Sequence, residues 1–228
     1  LKSNYFSNNT IFYNKINLNN NIASYEYEHS PNLDDEVFQS NIILSSDVFF
    51  NLKQSVTPRI KLIQNLNLIS DSVINEDSKA ITFNYHNQYS DNRLYGIDLE
   101  DNSSRIVYGL ENKIKFYEKN LQLSFNQSYD FNEDNNYTKK INQTSNFSDI
   151  ALEAKTNFDN IFFKIDSRLS NRELEKKEMN YFFQYNDVVD LTLNYNETDA
   201  KAFQNLSTDT QFLEASLGKK MNDNVFLS

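Results

Sequence analysis

The sequence predicts an all-β protein: an antiparallel up-and-down meander of about 10–12 strands, forming part of a large transmembrane β-barrel. Three observations lead there. Apolar and polar residues alternate with period two along most of the chain. Short and long polar links take turns between the alternating runs. Charges within the clearest runs keep to one parity.

The segment 105–117 sets the template. Ile106, Tyr108, Leu110, Ile114 and Phe116 share one parity, while Arg105, Glu111, Lys113 and Lys115 share the other. A strand turns successive side chains to opposite faces, so this run has one apolar and one charged face; a helix would scatter its charges among the apolar residues. In chain order the first strands are weakest: Phe12, Ile16 and Leu18, then Ala23, Tyr25 and Tyr27. Ile42, Leu44, Val48, Phe50 and Leu52 share a face, as do Val56, Ile60, Leu62 and Leu66. Pro58 stands near a strand start, where its missing N–H is tolerable. After the template come Leu121, Leu123 and Phe125, then Ile150, Leu152, Ala154 and Phe158, then Ile161, Phe163 and Ile165. Tyr181, Phe183 and Tyr185, then Leu191, Leu193 and Tyr195, and finally Leu213, Ala215 and Leu217 complete the series.

Short links fall near 17–21, 50–53, 117–120, 158–160, 187–189 and 219–223, and long polar links near 30–36, 67–104, 131–146, 170–178 and 197–208. Outer-membrane barrels have this order, with short periplasmic turns and long extracellular loops. A Greek-key sandwich has no reason to sort its loops by length. The charged run NRELEKKE at 171–178 reads as a solvated loop, and no stretch reads as a helix of useful length.

Lipid offers backbone groups no water, so a sheet that spans it must close on itself and keep its outward face uncharged. A Lys or Arg on that face costs ~2–4 kcal/mol at the bilayer midplane. The segregated charges meet this demand, although a soluble sheet with one wet face segregates charge too. The mean hydropathy of -0.68 is no objection, because half of each strand would face a wet lumen. Tyr117, Tyr129, Phe131, Phe158, Tyr181 and Tyr195 recur near strand ends, where aromatic rings favour the membrane–water boundary.

Composition narrows the chemistry. With no Cys, the chain holds no disulfide, zinc–thiolate site or Cys nucleophile. Two His, His29 and His86, leave little for a multi-histidine metal site, and three Gly leave no phosphate-cradling loop. No catalytic residue, metal ligand or cofactor is assigned. The net charge of -10 argues against nucleic acid as a partner. Roughly one residue in six is Asn, as an A/T-rich genome would produce, so the Asn-x-Ser/Thr matches carry no weight as glycosylation sites. The opening LKSNYFSNNT has no apolar core of a signal peptide, and both ends read as cut from something longer.

One segment points to a family. NQYSDNRLYGIDLEDNSSRIVYGLENKIKF runs from the long link into the 105–117 strand. It resembles the C-terminal barrel of the LptD family of lipopolysaccharide-assembly proteins, also called OstA or Imp. That family carries an Asn-Arg-Phe-Ser-Gly-x-Asp-Arg block, a short turn, and a strand with Tyr/Val-Gly-Leu. Asn92, Arg93, Gly96 and Asp98 match the block; Arg105, Tyr108, Gly109 and Leu110 match the strand. Leu94-Tyr95 replaces Phe-Ser, and Leu99 stands where Arg is usual. TPRIKLI at 57–63 and FNQSYDF at 125–131 resemble flanking strands of the same family, in the same order. Gly96 and Gly109 are expected where a side chain would clash or φ must be positive. Arg93 and Asp98 are placed to pair, either fixing how the loop folds over the lumen or forming a solvated salt bridge worth ~0–1 kcal/mol.

The resemblance implies a non-enzymatic transporter in a Gram-negative outer membrane. Residues 1–228 would be an internal stretch of its barrel, without the N-terminal jelly roll or the closing strands. Its partners would be lipopolysaccharide, outer-membrane lipid, an LptE-like plug lipoprotein and the periplasmic Lpt bridge. Lys113, Lys115, Lys155, Lys164 and Arg168, with Glu111, Glu153 and Asp166, would line the lumen. The basic members either meet phosphates or acidic sugars of lipopolysaccharide, or balance the acids and keep the lumen wet. Another outer-membrane barrel, such as a porin or substrate-specific channel, shares every argument except the motifs. A soluble β-rich binding protein shares the alternation alone. The isolated stretch is expected not to fold by itself, because two open edges invite other strands.

Overall fold

The computed structural model describes residues 2–8, 12–25, 37–50, 56–70, 79–95, 101–116, 119–132, 136–141, 143, 145–202, 207–222 and 225–227. In chain order the strands are β1 (Lys2–Asn8), β2 (Phe12–Tyr25), β3 (Val37–Phe50), β4 (Val56–Ser70), β5 (Lys79–Ala80), β6 (Leu94–Tyr95), β7 (Arg105–Phe116) and β8 (Lys119–Asp130). They continue as β9 (Ile150–Phe158), β10 (Ile161–Leu169), β11 (Lys176–Asn186), β12 (Val189–Thr198), β13 (Thr210–Asn222) and β14 (Val225–Leu227). One helical turn, α1 (Asn136–Lys140), lies between β8 and β9.

Twelve of these strands form one open sheet in the order β1-β2-β3-β4-β7-β8-β9-β10-β11-β12-β13-β14. Every neighbouring pair is antiparallel. This is the all-β up-and-down meander the alternation predicts. β5 and β6 form a separate two-stranded ribbon inside the long link between β4 and β7.

The register puts the predicted faces together. Ile106 faces Tyr129, Leu110 faces Phe125, and Ile114 faces Leu121. Phe183 pairs with both Phe163 and Leu193, and Leu193 with Ala215. These residues form an outer apolar face that is left uncovered: Ile114, Leu123, Phe125, Leu213 and Leu217 are all exposed, the last at 65%. On the opposite parity Glu111, Ser124, Glu153, Asp166 and Asn180 form one cross-strand row, and Lys113, Gln122, Lys155 and Lys164 form the next. Charges reach the outer rows at strand ends, as with Lys119 of β8, Lys176 of β11 and Glu197 of β12. Lys176 and Glu197 pair there at 2.5 Å.

Several boundaries differ from expectation. The turn expected near 17–21, and the separate strand beyond it, are replaced by one strand. β2 pairs with β3 along its whole length, Asn19 facing Ile43, Asn20 facing Ile42 and Asn21 facing Asn41. The Asn run reads as a turn by composition, but its continuous ladder with β3 holds it extended, and that outweighs local preference. β4 continues to Ser70, shortening the long link at its start. The run NRELEKKE is only partly a loop, because β11 begins at Lys176. A register shift after Arg168 brings Leu169 opposite Lys176. Among the expected rim aromatics, Tyr129 packs edge-on to Phe131 and Phe147, and Tyr181 lies 6.0 Å from Tyr195 across the ladder. Tyr27 and Tyr117 fall outside the described residues.

The buried core lies on the inner face, where the link between β4 and β7 folds back onto the sheet. Tyr85 and Tyr89 pack with Val107. Phe83 and Leu94 pack with Tyr137 and Ile141 of the α1 region and with Ala151.

Candidate functional site

Residues 79–95 form an insert on the inner face. Its outgoing and returning halves are joined by the β5–β6 ribbon, with Ile81 N–H donating to the Arg93 carbonyl at 2.9 Å. Between them a 3₁₀ turn, Asn87–Tyr89, reverses the chain, and Asn84 Oδ1 accepts from Asn87 N–H at 2.8 Å. Asn92 holds the return. Its Oδ1 accepts from the backbone N–H groups of Leu94 and Asp101, at 2.9 and 3.1 Å. Such a side chain mimics a backbone turn, which explains an Asn at the head of the block.

Arg93 and Arg105 anchor the insert's base, and both side chains are fully buried. Arg93 Nε donates to Asp101 at 2.6 Å, and its Nη2 reaches Ser103 at 2.9 Å and Asp130 at 3.2 Å. Its guanidinium lies 4.0 Å over the Tyr137 ring. Arg105 Nη1 donates to the same Asp101 carboxylate at 3.0 Å and to Ser103 at 2.5 Å, and its Nη2 donates to the Ser90 carbonyl. Two cations thus share one carboxylate, and Asp130 supplies the second negative charge. Burial alone would raise Asp101, but Arg93 and Arg105 outweigh it and hold the carboxyl at about 2. Burial alone would lower Arg93, but Asp101 and Asp130 outweigh it and push the guanidinium above its ordinary value. Asp101 and Arg93 therefore stay ionised at any physiological pH.

The insert's flank and tip are fixed to β4, β7, β8 and β9. Lys61 of β4 donates to the Tyr89 carbonyl at 2.6 Å and pairs with Asp91 at 2.7 Å. Arg59 binds Asp47 of β3 through two hydrogen bonds, at 2.9 and 2.6 Å, and stacks 3.7 Å over the Tyr89 ring. Tyr85 donates to Glu111 of β7 at 3.0 Å, and Asn126 of β8 donates to the Tyr85 carbonyl at 2.5 Å. His86 lies 3.2 Å from Glu153 of β9. Burial pushes the Tyr85 and Tyr89 phenols upward, so both act as neutral groups. Gly109 lies beneath this contact. A Cβ there would sit 2.8 Å from the Asn126 Cβ and closer still to the Tyr89 hydroxyl and the Phe125 carbonyl oxygen. The glycine is needed because the insert and β8 both press on it.

Arg168 is a second buried anchor, for the other long links. Its Nε donates to Asp149 at 2.7 Å, Nη2 to the Ile141 carbonyl at 2.9 Å and Nη1 to the Ala202 carbonyl at 2.9 Å. Phe83 of the insert lies 4.9 Å beneath its guanidinium.

The expected site residues therefore divide. Asn92, Arg93, Arg105 and Gly109 come together in the insert's seat. Tyr108 faces outward and donates to Gln127 at 2.6 Å. Gly96 and Asp98, and with them the expected Arg93–Asp98 pair, lie outside the described residues; among the described carboxylates Arg93 holds Asp101 and Asp130. Of the five basic lumen candidates, Lys155 pairs with Glu153 at 2.8 Å, Lys164 with Asp166 at 2.7 Å, and Arg168 is consumed as an anchor. Lys113 and Lys115 are exposed on the inner face. Asp101, Asp130, Asp149, Lys61 and Tyr89 are structural partners that sequence reading did not single out. Their only signal was parity: Asp130 and Lys61 fall on the inner face with the other charges.

Residues 38–225 match the family model LptD, described as LPS transport system D. The LPS-assembly protein LptD of Vibrio vulnificus strain YJ016 is 24% identical over 170 residues, covering 67% of this chain and 22% of that relative. The LPS-assembly protein LptD of strain CMCP6 matches to the same extent. The chain thus spans less than a quarter of the length of these curated relatives.

Proposed function

The chain belongs to the LptD family of LPS transport, and on that premise we propose that it is an internal stretch of an outer-membrane β-barrel wall that carries lipopolysaccharide to the outer leaflet. The observation that carries this reading is the sorting of the sheet's two faces. Ile60, Leu62, Leu123, Phe125, Leu193, Leu213 and Leu217 stay exposed on one face, while the anchored insert and the charged rows occupy the other. A water-soluble sheet would bury such a face. In the membrane it is the lipid surface. β10 rises about 26 Å along its length, or about 20 Å across the membrane at a tilt of roughly 40°, close to the apolar band of outer-membrane barrels.

On this reading the inner face lines the lumen. The insert narrows it from the long-link side, and Lys113 and Lys115 offer cations to lipopolysaccharide phosphates. The role is transport, with no catalytic step and no cofactor. A lumenal plug lipoprotein of the LptE type, the periplasmic Lpt bridge, a preceding jelly roll and further barrel strands complete the proposed assembly.

The test is photocrosslinking in cells. A photoreactive residue at inward Lys115 or Gln122 of the full-length protein should capture lipopolysaccharide in the act of transport, dependent on ATP-driven supply. The same residue at outward Leu123 should capture membrane lipid regardless of supply. Absence of lipopolysaccharide adducts at both inward positions would sink the proposal.

A further inference from the structure

The insert leaves part of the inner face uncovered, and a cleft of about 260 Å³ opens there. Asn84 and Asn87 of the insert form one wall; Lys164, Asp166, Glu178, Asn180 and Asn196 of β10–β12 form the other. Asp166 Oδ1 and Asn180 Oδ1 are buried there with no protein hydrogen-bond partner. They lie in one row, Asp166 opposite Asn180 and Asn180 opposite Asn196. Buried acceptors are costly unless something donates to them, so two side by side in one row call for a donor-rich occupant.

The charges say what kind. Lys164 is already 2.7 Å from Asp166 and 3.3 Å from Glu153, and Arg168 lies 3.5 Å from Glu178. A phosphate entering the cleft would meet Asp166 and Glu178, and a metal cation would meet Lys164 and Arg168. Neither ion is favoured. A neutral group with many hydroxyls is: each hydroxyl donates to an orphaned oxygen and accepts from an amide N–H. Phe83 of the insert lines the same cleft and gives an apolar flank on which the C–H face of a sugar can rest. The volume is below the range of drug-sized ligand pockets and suits a sugar ring or two.

We propose that this cleft is a saccharide subsite that takes neutral sugar units through Asp166, Asn180 and Asn196. The inference rests on the reading of the inner face as a lipopolysaccharide-lined lumen and adds where, and by which groups, the uncharged sugars are held.

The test uses full-length protein in detergent micelles. The probe is the oligosaccharide released from lipopolysaccharide by mild acid and then dephosphorylated, and binding is followed by saturation-transfer NMR. Maltohexaose serves as an unrelated neutral glucan. Asn180→Leu removes both hydrogen-bonding atoms, and Asn180→Ala removes them with a smaller side chain, so it decides the matter where Asn180→Leu fails to fold. Binding should weaken roughly tenfold in each variant that folds. Parallel loss for maltohexaose supports a general saccharide site; loss confined to the lipopolysaccharide fragment supports one matched to it. Unchanged binding in the folded variants overturns the inference, while persistent lipopolysaccharide crosslinks at Gln122 would leave the transport reading standing. Loss of those crosslinks in unmodified protein would instead remove the reading beneath it.

Discussion

Without its guanidinium, Arg93 would leave the Asp101 and Asp130 carboxylates buried with one cation fewer. Breaking a buried pair from one side costs about 3–5 kcal/mol, much more than a surface bridge. Arg93→Ala in the full-length protein should therefore lower the temperature at which the folded form converts on heat-modifiability gels, whereas Arg172→Ala, on an exposed loop, should leave it unchanged. The same cluster sets an acid limit. Asp101 is held at about 2, against an ordinary 3.8. A lowered carboxyl contributes stability that is full above about pH 4 and lost as pH falls through about 2. The shift corresponds to roughly 2 kcal/mol. A stability profile between pH 5 and pH 2 should fall by that order, and Asp101→Asn should remove this part of the slope. Arg93 was legible from its motif, but its partners were not. Position along a loop does not say which carboxylate reaches a guanidinium, and Asp130 arrives only through the register that sets it opposite Arg105.

At the scale of elements, the long polar link was legible in place, and a fold over the lumen was one of two readings left open at Arg93. Gln88, Arg93, Tyr85 and Tyr89 are all buried. Tyr85 donates to Glu111, Arg93 to Asp130, and Gln88 accepts from Ser128, and a sequence does not show a surface that exists only once the strands beneath are aligned. Gly109 gave the one local hint, a glycine in a strong strand run that marks close approach of something else. Strand runs were legible because period two survives without tertiary context; the Asn run inside β2 was not, because only its ladder with β3 overrides turn preference. The insert's covering role has a direct readout. Ser128 of β8 is fully buried and accepts no solvent contact. Ser128→Cys should resist a water-soluble maleimide in intact outer membranes. It should react once residues 82–89 are replaced by a short Gly-Ser linker. Equal labelling in both would show that the insert does not seat on β8.

For the whole molecule, the decisive property is the difference between the sheet's faces. Leu193 and Asn194 are adjacent in β12 and point to opposite sides, Leu193 beside Phe183 and Ala215, Asn194 beside Phe182 and Glu214. An arginine at Leu193 should cost ~2–4 kcal/mol in the bilayer. An arginine at Asn194 should cost far less, since it would lie beside Glu214 in a hydrated lumen. Refolding midpoints of the two full-length variants in lipid vesicles compare them directly. The alternation and the loop order made this architecture legible from sequence. What they left open was the distribution of the inner charges, because the reach of Lys164 across to Glu153 of β9 depends on cross-strand register.

The most direct test of the membrane-wall account is a cysteine scan of Leu191, Thr192, Leu193, Asn194 and Tyr195, one position at a time, in the full-length protein in native outer membranes. Each cysteine would carry a fluorophore, quenched in turn by a lipid-confined and by a water-soluble agent. The account predicts strict alternation: 191, 193 and 195 quenched from lipid, 192 and 194 from water. Quenching of all five from water, or from lipid without alternation, would contradict it.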